Sequence, residues 1–159
     1  MQYIPLQDYR YAWFFKHKDL PIADDLLDQI KPLTESYANQ IWHQLVSKNV
    51  NHPDLFKKED WPLKASTWLS KGTWQDNWES GNTDLPNLID ESIDWEGNTI
   101  VYFCYHADNI IETTWEILQA HWKNFLFLDN GPILIGKRRK ETVQFFENGQ
   151  FKLGIKGSV

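Results

Sequence analysis

The clearest hydrophobic pattern lies in the second half of the chain. Residues 99–105 are almost continuously apolar and rich in side chains that favour strands, which predicts a strand covered on both faces. Beyond Asp108, a candidate N-cap, apolar side chains recur at helical spacing as far as Phe125 and predict one long helix. The apolar stripe of this helix consists of Ile110, Ile111, Thr114, Trp115, Leu118, Trp122 and Phe125.

Short apolar runs separated by turn sequences follow this helix. Asp129-Asn130-Gly131 stands between apolar runs at 125–128 and 132–135, and Asn-Gly indicates a hairpin because both residues tolerate positive φ. A charged turn at 137–140 leads to a β-type segment at 142–146, and the turn 147–149 leads to another at 150–155. This end of the chain is therefore predicted to form a three-strand antiparallel meander.

The first half of the chain is predicted to be helices and loops. Apolar positions from Ile22 to Ile30 indicate a short helix, and Pro32 suits the first turn of a second helix. The stripe of that second helix would be Leu33, Tyr37, Ile41 and Leu45, with Ala38, Trp42 and Val46 beside it. Asp60 suits the cap of a third helix with Pro62 near its start and Ala65, Trp68 and Leu69 on its inner face. Residues 73–80 would place Trp74 and Trp78 on one helix face, and residues 81–97 are predicted to be turns and loop.

These segments together predict an α+β fold. N-terminal helices would pack on a C-terminal, mainly antiparallel sheet that is formed by one strand, the long helix that follows it and the three-strand meander. The two halves of the chain would join near Gly97. With 159 residues and a mass of 18.9 kDa, we expect one domain of unknown function over residues 1–159.

Composition and charge exclude several classes of protein. The net charge of −6 makes nucleic acid an improbable partner, because phosphate recognition needs an excess of Lys and Arg. No apolar run approaches the roughly 20 residues of a membrane span, and the first residues lack a secretory signal. We therefore expect a cytoplasmic protein with no membrane association. Cys104 is the single cysteine, which excludes an internal disulfide and a thiolate zinc cluster.

A family resemblance is carried by residues 109–154, NIIETTWEILQAHWKNFLFLDNGPILIGKRRKETVQFFENGQFKLG, and by the opening YRYAWFFKHKDLP. These segments resemble a family of short gammaproteobacterial proteins that is described only as a domain of unknown function. The resemblance spans most of the chain. It implies a soluble, single-domain bacterial protein, and it carries no assigned activity and no catalytic residues.

Acidic residues and tryptophans alternate in the middle of the chain. Between Lys71 and Lys123 there is no Lys or Arg, while ten acidic residues occur there. Such a field of one sign, edged by aromatic side chains, would attract and hold a basic protein partner. The residues expected to bind are Trp74, Trp78, Glu79, Asp94, Trp95, Glu96 and Glu112. The alternative is a solvated acidic face with its tryptophans buried.

A second candidate site lies at the end of the central strand. Alternation along a strand would point Cys104 and His106 to the same side, so that they could act as nucleophile and base with Asp108 orienting the imidazole. Alternatively, His106, Asp108 and Glu112 could bind a divalent metal if residue 112 follows one helical turn later. The structural alternative is a buried cysteine and a histidine that completes local hydrogen bonds at a helix start.

Two further features have structural explanations. The cluster Lys137-Arg138-Arg139-Lys140 is expected to protect a β-edge, although it could also contact phosphate or an acidic partner. Gly131, Gly136 and Gly149 are expected in hairpin turns and form no phosphate loop, and we expect no cofactor.

The first functional hypothesis is a protein-interaction module, regulatory or immunity-like, whose acidic and aromatic surface binds a basic partner. A metal- or thiol-dependent enzyme centred on Cys104, His106 and Asp108 is a second hypothesis. A third is a module that binds carbohydrate or peptide by stacking on the tryptophans, of which the chain has nine. The first of these favours a protein that is not an enzyme.

Overall fold

A single antiparallel sheet of seven strands organises the computed structural model, which describes all residues 1–159. The strands are β1 (Lys31–Pro32), β2 (Trp68–Thr73), β3 (Ile100–His106), β4 (Asn109–Thr114), β5 (Ile133–Gly136), β6 (Glu141–Phe145) and β7 (Gln150–Ile155). Their order across the sheet is β1-β4-β3-β5-β6-β7-β2. The α-helices are α1 (Asp24–Leu27), α2 (Glu35–Leu45), α3 (Gln75–Glu79), α4 (Asn87–Ser92) and α5 (Trp115–Phe125), and five short 3₁₀ turns lie among them. The α+β class is confirmed, with the sheet as the dominant part.

Helices cover both faces of this sheet. Phe103 and Ile111 belong to a core of 24 buried residues beneath α3, α4, α5 and the N-terminal 3₁₀ turns. Cys104 and Ile110 belong to a second core of 12 buried residues, against α2. Since side chains alternate along a strand, β3 contributes to both cores, which explains its continuous apolar sequence.

The first part of the segment predicted as one long helix is a strand. Residues 109–114 form β4, which returns alongside β3 and pairs Phe103 with Ile111. The helix prediction for this segment is wrong because its β-branched residues, Ile110, Ile111, Thr113 and Thr114, fit a strand better than a helix. Helix α5 begins only at Trp115, and Thr114 rather than Asp108 stands at its N-cap position.

The first half of the chain contributes both edge strands. Trp68 and Leu69, placed on a third helix by their spacing, lie instead in β2, which follows 3₁₀ turns at Trp61–Leu63 and Ala65–Thr67. Pro32 lies in β1, and the following helix α2 begins only after Thr34, whose hydroxyl accepts the backbone N–H of Tyr37 at 3.3 Å. The expectation that the sheet is C-terminal is therefore corrected.

The meander β5-β6-β7 is confirmed, with Arg138 in the first turn and Gly149 in the second at positive φ. Of the hairpin predicted around Asp129-Asn130-Gly131, only the strand after the turn forms. Residues 125–128 end α5 and continue as a turn, so Gly131, with a φ of 81°, leads into β5 without a partner strand before it. None of the helices has the length and apolar character needed to cross a membrane.

Candidate functional site

Eight carboxylates of the predicted acidic stretch are exposed on α3, α4, α5 and the adjoining loops. We call this set the acidic layer: Asp76, Glu79, Asp84, Asp90, Glu91, Asp94, Glu96 and Glu116. The elements that carry it lie over the larger core. The acidic layer is a solvated surface of one sign.

The three tryptophans expected to anchor a partner differ in their exposure. Trp74 is 4% exposed and its indole N–H donates to the carbonyl of Phe146 at 3.1 Å. Trp95 is 8% exposed and its ring centroid lies 5.1 Å from that of Trp115. Only Trp78 is half-buried, and its ring packs between Trp74 and Phe127. Two of the three therefore act as core residues in this conformation.

The one lysine beside the acidic layer is buried. Lys123 Nζ donates to the carbonyl oxygens of Trp78, Ser80 and Asn82 at 3.1, 3.1 and 2.7 Å. Burial lowers the pKa of this ammonium group. Its charge is directed at backbone oxygens inside the fold, and it does not neutralise the carboxylates outside.

Glu112 is the exception among the acidic residues expected at the surface. Its carboxylate is buried on the α2 side of the sheet and accepts the hydroxyl of Tyr3 at 3.1 and 3.2 Å. Burial and this negative charge raise the pKa of Tyr3 to about 12. Residues 109–114 form a strand, so Glu112 lies about 10 Å along the chain from the β3–β4 turn. The predicted metal site of His106, Asp108 and Glu112 required residue 112 to lie one helical turn after Asp108, and this condition is not met. No cluster of three potential metal ligands occurs in the structure.

The Tyr3→Phe substitution is expected to lower the free energy of unfolding by about 1–3 kcal/mol. Removing the hydroxyl leaves the buried carboxylate of Glu112 without this donor, and an unsatisfied buried acceptor costs that amount. Chemical denaturation measures the change. Tyr11→Phe, which removes the hydroxyl of another partly buried tyrosine, is the matched control, and equal losses in the two variants would contradict the role of the Tyr3 hydroxyl.

Cys104 is fully buried in the smaller core. Burial raises the pKa of its thiol well above the ordinary value, so the group is protonated at neutral pH. Its sulfur lies 3.9 Å from the carbonyl oxygen of Tyr102. The thiol is shielded from substrate and base alike, and the predicted nucleophilic arrangement with His106 does not form.

A polar cleft lies at the turn between β3 and β4. It consists of two adjoining cavities of about 280 and 210 Å³, which share Tyr11 and His106 as lining residues. We call it the hairpin cleft. The larger cavity is also lined by Ile4, Asp8, Tyr9, Arg10, Leu33, Glu35, Asp108 and Asn109, and the smaller by His52, Tyr105, Leu128 and Asn130.

Two histidines are held in the hairpin cleft by the same local turn. The backbone N–H of Asp108 donates to Nδ1 of His106 at 3.2 Å, and that of Asp54 donates to Nδ1 of His52 at 3.0 Å. Each neutral ring therefore carries its proton on Nε2. The two rings stack with centroids 5.7 Å apart, and the N–H of Ala107 donates to the carbonyl of Asn51 at 2.9 Å. These contacts connect the β3–β4 turn to the loop at 51–54.

Asn109 is a buried residue in the lining of the hairpin cleft. Its side chain is 7% exposed, and its Oδ1 accepts the hydroxyl of Tyr9 at 2.6 Å. Its buried Nδ2 has no hydrogen-bond partner. Either orientation of the amide leaves one of its two polar atoms unpaired, since only one can meet Tyr9.

The charged groups of the hairpin cleft are not paired with one another. No Lys or Arg nitrogen lies within 4.0 Å of a carboxylate oxygen, and the two histidine–carboxylate contacts of that length, His17–Asp19 and His52–Asp54, are ion pairs only when the ring is protonated. Arg10 lies 5.2 Å from the ring centroid of Tyr11 and makes no ion pair with a carboxylate. On the carboxylate side, Asp108 Oδ1 accepts from the side-chain amide of Asn39 at 2.6 Å.

Acidification is expected to weaken the fold through His106. Burial lowers its pKa, and His52 and Arg10 lower it further, while Asp108 and Glu35 act in the opposite direction. The unfolded chain, with a His pKa of about 6.5, then binds more protons than the folded one. The stabilisation that depends on neutral His106 is complete above the unfolded pKa of about 6.5, and it is lost as the pH falls through the pKa of His106 in the folded protein.

Between about pH 7 and 5, we expect the free energy of unfolding of His106→Gln to depend less on pH than that of the wild type. Burial also lowers the pKa of His121, so His121→Gln is the control that leaves the His106 contribution in place. An unchanged pH dependence in His106→Gln would contradict the assignment.

Most residues of the hairpin cleft were not predicted as functional. Of the predicted candidates, only His106 and Asp108 line it. Tyr9, Arg10, His52 and Asn109 come from distant parts of the chain. One sequence signal was available, since His-x-Asp occurs at 17–19, 52–54 and 106–108, and in each the Asp N–H donates to the histidine Nδ1.

Comparison with known proteins places the chain in a family without a known activity. No curated protein and no solved structure matches the chain. A family model described as "Protein of unknown function (DUF2947)" matches residues 3–154, which is nearly the whole chain. The chain therefore belongs to the DUF2947 family.

Proposed function

We propose that this protein binds a small polar ligand in the hairpin cleft. The observation that carries the proposal is a set of charged groups that line the larger cavity without pairing with one another. Arg10 makes no ion pair with a carboxylate, and the carboxylates of Asp8 and Glu35 accept no side-chain hydrogen bond within the protein. A polar ligand would supply the missing partners.

The surrounding groups support the same proposal. His106, on the β3–β4 turn, supplies an Nε2–H donor when neutral, and Arg10 supplies a cation that no protein carboxylate neutralises. Tyr11 lines both cavities and offers an aromatic wall. A cavity of about 280 Å³ is near the lower end of the range for small-molecule sites, about 300–1,000 Å³.

Thermal unfolding in the presence of pooled water-soluble metabolites of low mass tests this proposal. A ligand present at ten times its Kd is expected to raise the Tm by about 3–6 °C. Arg10→Met and Asn109→Leu should lose this increase. Lys140→Met, an exposed change outside the hairpin cleft, should retain it.

Arg10 is exposed, so Arg10→Met keeps the fold even if Asn109→Leu does not. A stabilising compound whose effect is the same in Arg10→Met, Asn109→Leu and the wild type would contradict the site. Absence of any stabilising compound across the pools would contradict the function.

A second candidate function is recognition of a basic protein through the acidic layer. The specific observation in its favour is that eight exposed carboxylates lie there while the neighbouring Lys123 is buried against backbone carbonyls. An uncompensated field of this kind accelerates encounter with a cationic partner. Trp78, half-buried beside Glu79, is available at its edge.

Affinity capture with charge-reversed baits tests the second candidate. Glu91→Lys with Asp94→Lys should lose a basic partner that the wild type retains at low salt, because exposed charges act over roughly 8–10 Å. Glu59→Lys with Glu147→Lys changes the net charge equally at exposed sites outside the acidic layer. Equal capture by both double variants would contradict this function.

A further inference from the structure

We infer that the hairpin cleft binds a zwitterion of the amino-acid class, a small molecule that carries both a carboxylate and an ammonium group. The inference rests on the proposed function and assigns the chemistry of its ligand. It follows from the signs, the pairing and the placement of the polar groups around the larger cavity.

Groups of both signs line this cavity without neutralising each other. Arg10 is the cation, the carboxylates are Asp8, Glu35 and Asp108, and no ion pair joins them within 4.0 Å. A simple anion would satisfy Arg10 but would lie beside three negative charges. A simple amine would satisfy the carboxylates but would leave Arg10 without a partner. A ligand with both groups meets both requirements.

The donors define a place for the carboxylate. Arg10 and Asn109 line the same cavity as His106, whose Nε2 carries the proton because Nδ1 accepts from Asp108 N–H. The guanidinium of Arg10 and the Nε2–H of His106 are donors of the kind that bind a carboxylate, and the guanidinium can do so through two parallel bonds.

The acceptors define a place for the ammonium group. Asp8 and Glu35 are exposed carboxylates at the same cavity, and neither accepts a side-chain hydrogen bond within the protein. Asp108 already accepts from Asn39, so Asp8 and Glu35 are the available partners. An ammonium group has three donors and no acceptor, which suits two carboxylates.

The smaller cavity suits the remainder of the ligand. It adjoins the larger one at Tyr11 and His106, has a volume of about 210 Å³ and is bounded by His52 and Leu128. These rings and this aliphatic group would contact a side chain of moderate size. A short aliphatic or aromatic amino acid therefore fits the two cavities together.

Titration calorimetry with the twenty common L-amino acids, one at a time, tests the inference. For the tightest of them, the matched amine without the carboxylate and the matched acid without the amine are titrated next. Each analogue is expected to bind at least about tenfold more weakly, because each loses one set of charge-assisted hydrogen bonds.

Two variants separate the two ends of the ligand. Glu35→Gln should weaken binding of the amino acid and leave the affinity of the deaminated acid unchanged. Arg10→Met should weaken binding of the amino acid and leave the affinity of the amine unchanged. Both residues are exposed, so both variants should fold.

The outcomes distinguish this inference from the proposed function. If either analogue binds as tightly as the amino acid, the zwitterion is wrong and the site remains. If no amino acid binds while a pooled metabolite stabilises the protein through Arg10 and Asn109, the ligand class is wrong and the function stands. If neither amino acids nor metabolites bind, both are overturned.

Discussion

Replacing Lys123 by methionine is expected to lower the free energy of unfolding by about 3 kcal/mol. Methionine keeps the apolar stem of the lysine but removes the ammonium group that donates to the carbonyls of Trp78, Ser80 and Asn82. Hydrogen bonds to a charged group contribute about 1.5–3 kcal/mol, and the loss would leave backbone acceptors unpaired. Chemical denaturation measures the change.

The same substitution should loosen one segment before the rest of the fold. Lys123 holds the chain that leaves α3, so amide exchange should accelerate at residues 78–82 more than in the sheet. Lys140→Met removes an exposed lysine and is the control. A loss in Lys123→Met no larger than in Lys140→Met would show that the buried ammonium group does not stabilise this layer.

Gly154→Ala is also expected to lower the free energy of unfolding by about 3 kcal/mol, because it displaces the edge strand β2. Gly154 pairs with Trp68 where β2 begins, and a Cβ there would lie only 1.9 Å from the backbone oxygen of Thr67. Backbone cannot rotate away as a side chain can, so β2 must move from β7. Denaturation, with amide exchange over residues 68–73, measures this displacement.

Gly81→Ala provides the comparison for this prediction. A Cβ at Gly81 would have no atom within 4 Å, so the change should leave stability within about 0.5 kcal/mol of the wild type. If Gly154→Ala were equally mild and residues 68–73 kept their protection, the close approach of β7 to Thr67 would not be a constraint on the fold.

Local signals predicted the parts of the fold that are local. The strand at 100–106, the meander and the helix over 35–45 each follow from periodicity and turn residues within a short window. The segment 109–114 was misassigned because Ile110, Ile111 and Thr114 match helical spacing, while its β-branched composition and the pairing with β3 make it a strand. Pairing is non-local, so a single window cannot detect it.

The edge strands show the same difficulty more strongly. Strand β1 has two residues, one of them Pro32, and takes its conformation from β4 rather than from its own sequence. Strand β2 contains Gly72 and a register irregularity between Trp68 and Ser70. Their β structure depends on partners that lie far away along the chain.

Burial could not be predicted from the charge pattern. Of the residues expected to bind, Glu79, Asp94 and Glu96 are exposed, whereas Glu112, Trp74 and Trp95 are buried by contacts that their spacing did not indicate. The hairpin cleft combines residues 8–11 with His52 and His106, and only the folded sheet brings these segments together. The two His-x-Asp turns, at 52–54 and 106–108, were the local sequence signal for this cleft.

The most direct test of the hairpin cleft is a ¹H–¹⁵N NMR titration of the wild-type protein with a mixture of L-amino acids. We expect the largest shifts at the side-chain amide of Asn109 and at the backbone of Arg10, Tyr11 and His106, with saturation as the concentration rises. Saturable shifts confined to other surfaces would contradict the assignment of these residues as the ligand site, and no saturable shift at all would contradict the amino-acid class of the ligand.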